Sequence, residues 1–236
     1  YGLSYGDAAT NLGELSEDPG LSEDLMGNAD PRTLFKRGRP GDRWSALIAF
    51  EGSYTTLPAG ATELAGLSAL DTPQQVLAVV EMPPPVPFQP QGRWLGLDGL
   101  QDPGNLGTLI RLADWFGFTG LLCSPDCVDR YNPKTVQASM GSLFRVHVAV
   151  ADLAETLAQL PQSFWAAGTF LEGTSLYATP FPAEGLLVFG HEGQGIRPET
   201  AKRLEHRLTL PGRGGAESLN VAMAASIFCA EWMRNV

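Results

Sequence analysis

The chain has 236 residues, of which 44% are hydrophobic, and a formal net charge of -10 at pH 7. This length fits one large or two small domains, and the apolar content is sufficient for a substantial core. The acidic balance argues against broad adhesion to nucleic acid, so an RNA or DNA partner would need a local basic patch. Two interpretations fit the basic residues of the second half of the chain: they form such a patch, or they are ordinary solvated charges. These residues are Arg111, Arg130, Lys134, Arg145, Arg197 and Arg213.

Membrane insertion, secretion and metal binding are not expected. A transmembrane helix needs about 18 consecutive apolar residues, and no such run occurs in the sequence. Residues 1–20 are polar and acidic, unlike a signal peptide. The three cysteines, Cys123, Cys127 and Cys229, cannot all pair, and they lack the second ligand pair of a zinc site. We therefore expect a cytoplasmic protein with reduced thiols.

Two domains are predicted on either side of a proline-rich segment. Residues 1–82 include a short predicted helix at 61–70 and a buried-strand candidate at 76–80. Residues 83–92 have the composition of a proline-rich linker. Residues 93–236 form the second predicted domain.

Predicted strands and helices alternate through this second domain. The apolar runs predict strands at 94–98, 120–123, 164–169, 186–189 and 208–210. Helical periodicity predicts helices at 106–116, 133–140, 152–160, 198–206 and 218–234. The alternation predicts an α/β fold, a parallel sheet with helices on both faces.

Three stretches each combine a strand, a loop rich in turn residues or glycine, and the start of a helix. They span residues 94–111, 186–198 and 208–234. Ligands of open α/β sheets collect at the carboxyl ends of the strands, and a helix N-terminus offers free N–H groups. We therefore expect the three stretches to form one composite site.

In the first stretch, Arg111 lies four residues after Gly107, on the same side of the helix. This spacing predicts that Arg111 reaches back toward the loop that holds Asn105. The alternative is a solvent-exposed pair between Arg111 and Asp114, which would contribute little.

The other two stretches have equally open interpretations. The glycines of Gly190–Gly195 match neither a dinucleotide-binding fingerprint nor a P-loop, although they allow a backbone to approach a ligand. Glu192 is either a ligand contact or an exposed acid in a tight turn. Ser218 is predicted as the N-cap of the last helix, and Asn220 is then a polar residue of its first turn.

Together and in this order, the stretches resemble the SpoU-type (TrmH-like) RNA 2′-O-ribose methyltransferases of the SPOUT superfamily. The matching pieces are Asp102–Arg111, Val188–Ile196, and Leu210 with Glu217–Ala222. Asn132–Leu143 resembles the segment that such proteins carry between the first two motifs. An ordered set of three motifs is far more specific than any single one.

The resemblance implies a fold and a set of partners. The implied fold is a C-terminal trefoil knot in residues 93–236, a departure from the near-absence of knots in proteins. A smaller N-terminal α/β domain that binds RNA is usual in the family, although residues 1–58 lack its basic opening. The implied partners are S-adenosylmethionine, a second copy of the chain, and rRNA or tRNA as substrate, with no membrane and no metal.

The resemblance also implies roles for individual residues. Cofactor contacts fall on Gly190, Leu210 and Leu219, with Gly193 and Thr169 as further candidates. The resemblance assigns substrate binding and catalysis to Asn105, Arg111, Glu192, Ser218 and Asn220. By the resemblance, the arginine would assist the deprotonation of the 2′-hydroxyl. Because a guanidinium is nearly always protonated, we prefer that Arg111 orients the hydroxyl and stabilises developing negative charge.

Two other functions remain open on the same fold, an RNA-base methyltransferase and a catalytically idle RNA-binding protein. The presence of Asn105, Arg111, Ser218 and Asn220 favours an active enzyme over the idle protein. Nucleoside analysis of the product RNA separates ribose methylation from base methylation.

Overall fold

A computed structural model describes residues 84–234, all of which belong to one compact unit. The helix predicted at 61–70 and the strand predicted at 76–80 lie outside the described residues. Residues 84–92 form neither a helix nor a strand. Within the described part, no helix has the length and apolar character needed to cross a membrane.

The described part contains six strands and five helices. The strands are β1 (Arg93–Asp98), β2 (Gly120–Cys123), β3 (His147–Val150), β4 (Ala166–Ser175), β5 (Gly185–Gly190) and β6 (His206–Thr209). The helices are α1 (Pro103–Phe116), α2 (Pro133–Ser139), α3 (Leu153–Ala158), α4 (Pro198–Ala201) and α5 (Val221–Arg234). Short 3-10 helices occur at Ser142–Phe144 and Leu176–Ala178.

All six strands are parallel and form one sheet in the order β3-β2-β1-β5-β4-β6. The predicted α/β fold with a parallel sheet is therefore confirmed. β1 and β5 pair at the centre, and Asp98 at the end of β1 is in register with Gly190 at the end of β5. The loops that follow these two strands consequently leave the sheet side by side.

The core has two parts, one on each face of the sheet. The larger part joins α1 and α5 to the sheet through Leu106, Leu109, Phe228 and Trp232. The smaller part, which includes Trp94 and Val188 of the sheet, also includes Leu153 and Leu204. Alternate residues of a strand point to opposite faces, which places neighbouring strand residues in different parts of the core. Full burial of each large apolar side chain contributes about 1.5–3 kcal/mol.

Helix α1 begins at Pro103, three residues earlier than predicted. The Asp102 carboxylate accepts a hydrogen bond from the backbone N–H of Asn105 at 2.6 Å, and Pro103 occupies the first helical position. The turn residues of this stretch are thus the N-cap and first turn of α1. Gly117, with φ 66°, ends the helix.

Several other predicted boundaries are wrong. Strand β3 was not predicted, because its four residues are too few to show a clear alternation. β4 continues to Ser175 through a register shift between Thr169 and Thr174. α4 ends at Ala201 rather than at residue 206, and β6 begins at His206.

Candidate functional site

The carboxyl ends of the strands meet at one edge of the sheet, as in every parallel sheet, and the three loops of interest lie there. Residues 99–102 connect β1 to α1, and residues 191–197 connect β5 to α4. Residues 210–220 connect β6 to α5. Ligands of open α/β sheets bind at this edge, so these loops form the candidate site.

One polar side chain from each loop region joins a continuous hydrogen-bonded chain, the Glu192–Asn105–Asn220 chain. Asn105 Nδ2 donates to Glu192 Oε1 at 3.3 Å, and Asn220 Nδ2 donates to Asn105 Oδ1 at 3.0 Å. Both ends of the Asn105 amide are engaged, which fixes its orientation. The second N–H of Asn105 and the second oxygen of Glu192 are left to bind a ligand. The sequence predicted all three residues as part of the site, and the structure brings them together.

Asn220 has a second task, because it caps α5. Its Oδ1 accepts hydrogen bonds from the backbone N–H groups of Ala222 at 2.9 Å and Met223 at 3.4 Å. The prediction that Ser218 caps this helix is therefore wrong. Ser218 is exposed and makes no hydrogen bond within the described part of the chain. A side-chain amide serves as well as a hydroxyl at an N-cap, so the sequence alone could not choose between the two.

The glycine loop after β5 closes on itself. The backbones of His191 and Gly195 exchange two hydrogen bonds, of 3.0 and 2.8 Å. A Cβ at Gly190 would lie 2.0 Å from the carbonyl carbon of Gly195, so the closure itself requires glycine there. At Gly193 the nearest atoms to an added Cβ are 3.8 Å away, on His191. An added Cβ at Gly195 would meet nothing within 4 Å, so a ligand has room to approach the backbone of this loop at Gly193 and Gly195.

His191, which the sequence did not suggest, shapes the same loop. Its Nδ1 accepts a hydrogen bond from the Gly193 N–H at 3.0 Å. That acceptor role leaves Nε2 as the ring nitrogen that carries the proton in the neutral imidazole. The imidazole holds the loop in shape beside Glu192.

The other predicted cofactor residues lie in different environments. The Thr169 hydroxyl donates to the carbonyl of Val188 at 3.2 Å, so it joins β4 to β5. Leu210 is half-buried against the larger core cluster, whereas Leu219 is 47% exposed. Residues 212–219 are all exposed, and their backbone N–H groups make no hydrogen bond among the described residues. This loop therefore offers free backbone donors to a ligand.

Arg111 does not join the Glu192–Asn105–Asn220 chain. It is exposed and has neither an ion pair nor a hydrogen bond within the described residues. It lies six positions after Asn105, which places the two side chains about 120° apart around α1. Asn105 faces α5, while Arg111 faces solvent. The predicted approach of the Arg111 side chain to Asn105 is thus not seen in the structure.

The alternative pair between Arg111 and Asp114 is also wrong. Asp114 Oδ2 accepts hydrogen bonds from Arg145 Nη2 at 2.6 Å and Nε at 3.0 Å, and from the Ser142 hydroxyl at 2.7 Å. Burial opposes ionisation, but these hydrogen bonds hold the pKa of Asp114 below its ordinary value. Arg111 is consequently left free on the surface.

Asp98 and Arg197, which the sequence did not associate, form an ion pair beside the loops, and the Arg197 side chain in it is 34% exposed. Asp98 is fully buried, and its Oδ1 accepts from Arg197 Nε at 2.6 Å and also from Arg197 Nη2. The hydrogen bond to Asp98 raises the pKa of Arg197. One signal was present in the sequence, since an acid ending an apolar strand needs a buried partner.

Comparison with known proteins agrees with this geometry. The model of the SpoU rRNA Methylase family matches residues 93–230, the region that contains all three loops. The chain belongs to the SpoU rRNA methylase family. Residues 102–111, 188–196 and 217–222, on which the resemblance was recognised, all lie inside the matched region.

Three relatives illustrate the likeness of this SpoU-family chain. The 23S rRNA (guanosine(2553)-2′-O)-methyltransferase RlmP of Bacillus subtilis is 35% identical over 159 residues, which are 66% of this chain and 64% of that protein. A TrmH-family structure from Porphyromonas gingivalis is 40% identical, with a TM-score of 0.73 over 82% of this chain and 78% of that one. The SpoU methyltransferase AviRb of Streptomyces viridochromogenes, solved with AdoMet, is 29% identical, with a TM-score of 0.65 over 75% and 72%.

The basic side chains of this SpoU domain divide into paired and free groups. Arg145 and Arg197 are held in ion pairs, so neither is a free contact for RNA. Arg130 donates to the carbonyl of Val148 and lies 4.9 Å from the centre of the Tyr131 ring. Arg111, Lys134 and Arg213 are exposed without an ion pair among the described residues.

A thiol pair lies beneath the same edge of the sheet. Cys127 Sγ donates to the carbonyl of Leu97 at 3.2 Å and lies 3.4 Å from the Ser124 hydroxyl. A hydrogen bond from Cys123 is the main cause that lowers the pKa of Cys127 to about 6, and the same interaction raises the pKa of Cys123. Within residues 84–234 no group of three or more potential ligand side chains is placed to hold a metal ion.

Proposed function

We propose that this SpoU-family chain transfers a methyl group from S-adenosylmethionine to a ribose 2′-hydroxyl of rRNA, with the cytoplasm as its expected location. The Glu192–Asn105–Asn220 chain carries the proposal, because it unites one polar side chain from each of the three loop regions. The names of the relatives support it: RlmP is a 23S rRNA 2′-O-methyltransferase, and an rRNA methyltransferase of Sinorhizobium meliloti was solved with AdoMet bound.

The loops fit such a cofactor. Added Cβ atoms at Gly195, Gly212, Gly214 and Gly215 would meet nothing within 4 Å, so backbone atoms border open space there. The unbonded N–H groups of residues 212–219 suit the ring nitrogens and carboxylate of S-adenosylmethionine, and exposed Leu219 suits its adenine. Gly193, in the glycine loop, and Leu210, at the start of the loop 210–220, would contact the cofactor from opposite sides. The bound cofactor would supply a methyl group activated by its sulfonium.

The residues of the Glu192–Asn105–Asn220 chain would position the ribose. A 2′-hydroxyl is a poor nucleophile, so orientation and help with its proton are both needed. The free oxygen of Glu192 would accept a hydrogen bond from the hydroxyl, and the second N–H of Asn105 would donate to a neighbouring ribose or phosphate oxygen. Arg111, with no partner of its own, would stabilise the developing negative charge or hold a substrate phosphate. Ser218 would contact substrate from the exposed loop.

We propose that the C-terminal part of the chain forms a trefoil knot. Strand β6 lies at the edge of the sheet beside β4, yet α5, which follows it, packs beside α1. The loop 210–220 has to cross back over several strands to make this return. Family membership supports a crossing that passes through a loop of the chain rather than over it. Residues 1–82 are proposed as the smaller RNA-binding α/β domain.

A homodimer is proposed through the adjoining outer sides of α1 and α5. These sides expose Trp115, which is 83% exposed, and Met223, which is 59% exposed. The face of α5 that is buried within this chain carries Ala225, Phe228 and Trp232, and it leaves Met223 and Ala230 exposed. The exposed apolar face is therefore available to a second copy.

Light scattering tests the dimer. The wild-type chain should have the mass of a dimer, and Met223→Glu should shift it toward the monomer. Val150→Glu serves as the control, because Val150 is equally exposed, at 60%, but lies on the edge strand β3. A monomeric wild-type protein at concentrations where the enzyme is active would contradict the proposal.

The activity is tested by incubating the full chain with S-adenosylmethionine carrying a labelled methyl group and either rRNA or tRNA. Digestion of the product to nucleosides should give a labelled 2′-O-methylnucleoside from rRNA, and Asn105→Ala should abolish it. A labelled base would instead identify a base methyltransferase. RNA binding without transfer would identify the idle protein, and labelling of tRNA alone would correct the substrate.

A further inference from the structure

We infer that Arg197 is a positioning residue, whose ion pair with Asp98 fixes the glycine loop of residues 190–196 against the end of β1 and so shapes the cofactor site. The inference rests on the proposed function, because it assigns a task within the same site. Neither residue belongs to the pieces of sequence that carry the family resemblance.

Both ends of the glycine loop are held at Asp98. The loop starts at Gly190, which is the register partner of Asp98 across the two central strands. Arg197 directly follows the loop, and its backbone N–H donates to Asp98 Oδ2 at 2.9 Å while its Nε donates to Oδ1 at 2.6 Å. A single carboxylate therefore binds both the main chain and the side chain at the end of the loop.

The same contacts extend to the loop after β2. The Gly99 N–H donates to the Ser124 hydroxyl at 2.8 Å, and that hydroxyl donates to Asp126 Oδ1 at 2.7 Å. Asp126 Oδ1 in turn lies 3.4 Å from Arg197 Nη2. The contacts form a closed ring from Asp98 through residues 99, 124 and 126 back to Arg197. Three of the loops at this edge are thereby tied together.

The burial of Asp98 makes the ring resistant to movement. Asp98 is fully buried, so a shift of the glycine loop would leave a charged carboxylate without its main partner in a low-dielectric interior. The α1 helix begins five residues after Asp98 and the glycine loop is attached to the same side chain. The ion pair thus sets how far Glu192, in the glycine loop, lies from Asn105, in α1.

The chain offers a matched control in the ion pair of Arg145 with Asp114. It has comparable geometry, with Arg145 Nη2 at 2.6 Å from Asp114 Oδ2, and both partners are largely buried. It joins α1 to the 3-10 helix Ser142–Phe144 rather than to the glycine loop. Loss of either pair should weaken the fold, but only loss of the Arg197 pair should alter cofactor binding.

The experiment measures the affinity of the full chain for S-adenosylmethionine by calorimetry, together with the melting temperature. Arg197→Gln should weaken binding tenfold or more, whereas Arg145→Gln should lower the melting temperature and leave the affinity within twofold of wild type. Arg197→Lys keeps a positive charge beside Asp98 but loses the planar fork that contacts both Asp98 and Asp126. It should therefore keep the fold and still weaken binding at least threefold.

Unchanged affinity in folded Arg197→Gln would overturn the inference. If that variant does not fold, Arg197→Lys decides, and an affinity within twofold of wild type overturns it. Equal weakening by Arg145→Gln would also overturn it, because the effect would then follow from a weakened fold. A wild-type chain that does not bind S-adenosylmethionine would instead refute the proposed function, and the inference with it.

Discussion

Asn220 donates a hydrogen bond of 3.0 Å to Asn105, which lies 115 residues earlier in the chain. The bond joins the N-terminal end of α5 to the first turn of α1. Asn105 in turn donates a hydrogen bond to Glu192. The start of the last helix therefore determines how the amide of Asn105 is presented to a substrate. The same side chain also caps α5, so Asn220 contributes to the stability of the helix as well as to the proposed site.

Substitution of Asn220 can separate these two tasks. Asn220→Asp keeps an acceptor for the helix N–H groups and adds a favourable charge at a helix N-terminus, so stability should stay within about 0.5 kcal/mol of wild type. It loses the donor to Asn105 and places a second negative charge near Glu192, so single-turnover methylation should fall about tenfold or more. Asn220→Ala should in addition cost about 1 kcal/mol of stability. Wild-type turnover in Asn220→Asp would remove this bond from the catalytic arrangement.

Arg111 should matter for turnover and not for folding. It has no partner within the described chain, so Arg111→Ala should change stability by less than about 0.5 kcal/mol. If it stabilises developing charge, the same change should reduce single-turnover methylation about a hundredfold, with nearly unchanged cofactor affinity. Arg111→Lys should restore little, because a point charge lacks the planar fork. Near-wild-type rates for Arg111→Ala would disprove the catalytic assignment.

Two glycines of one loop should respond differently to alanine. Gly190→Ala forces a Cβ to within 2.0 Å of the Gly195 backbone, so it should destabilise the fold by about 1–3 kcal/mol as well as weaken cofactor binding. Gly193→Ala meets nothing closer than 3.8 Å and should leave the melting temperature unchanged. A loss of affinity for S-adenosylmethionine in Gly193→Ala, measured by calorimetry, would locate the cofactor against this backbone. Unchanged affinity would place it elsewhere.

The thiol of Cys127 should be reactive at neutral pH. Its pKa of about 6 makes the thiolate, which no longer donates to the Leu97 carbonyl, the main form above that pH, whereas a free thiol ionises near pH 8.5. Alkylation of Cys127 by iodoacetamide, followed by peptide mass spectrometry, should therefore reach its full rate near pH 7 and fall as the pH drops through 6. Cys123 and Cys229 are buried, and each pKa is raised, so both should stay unmodified in the folded chain. A rate that still rises between pH 8 and 9 would contradict the lowered pKa.

Local pattern was sufficient for much of the fold and for part of the site. Strands and helices alternate because apolar residues recur at the right spacing, and three similar strand–loop–helix stretches indicated a shared edge. These stretches contain Asn105, Glu192 and Asn220, and the family resemblance assigned the three residues to the site. The pair of Asp98 and Arg197 was not predicted, because its members lie 99 residues apart and no local pattern links them.

The orientation of the Arg111 side chain shows a second limit of prediction from the sequence. Arg111 lies one helical turn after Gly107, but Gly107 is buried against α2, where an added Cβ would lie 2.5 Å from the carbonyl oxygen of Thr135, whereas Arg111 is exposed. Asn105 faces α5 instead. Which side of a helix meets which neighbour is decided by packing between distant segments, and spacing within the helix does not contain that information.

The place of α5 in the chain has a consequence for biosynthesis. Phe228 and Trp232 belong to the last helix described, yet they complete the core against α1, and the Trp232 indole donates to the Pro182 carbonyl at 2.6 Å. On the ribosome, the part of this core that α5 covers stays exposed until these residues emerge. The domain should therefore reach its native state only after residue 232 has left the exit tunnel. Nascent chains halted before α5 should remain sensitive to protease and bind chaperones that recognise exposed apolar surface.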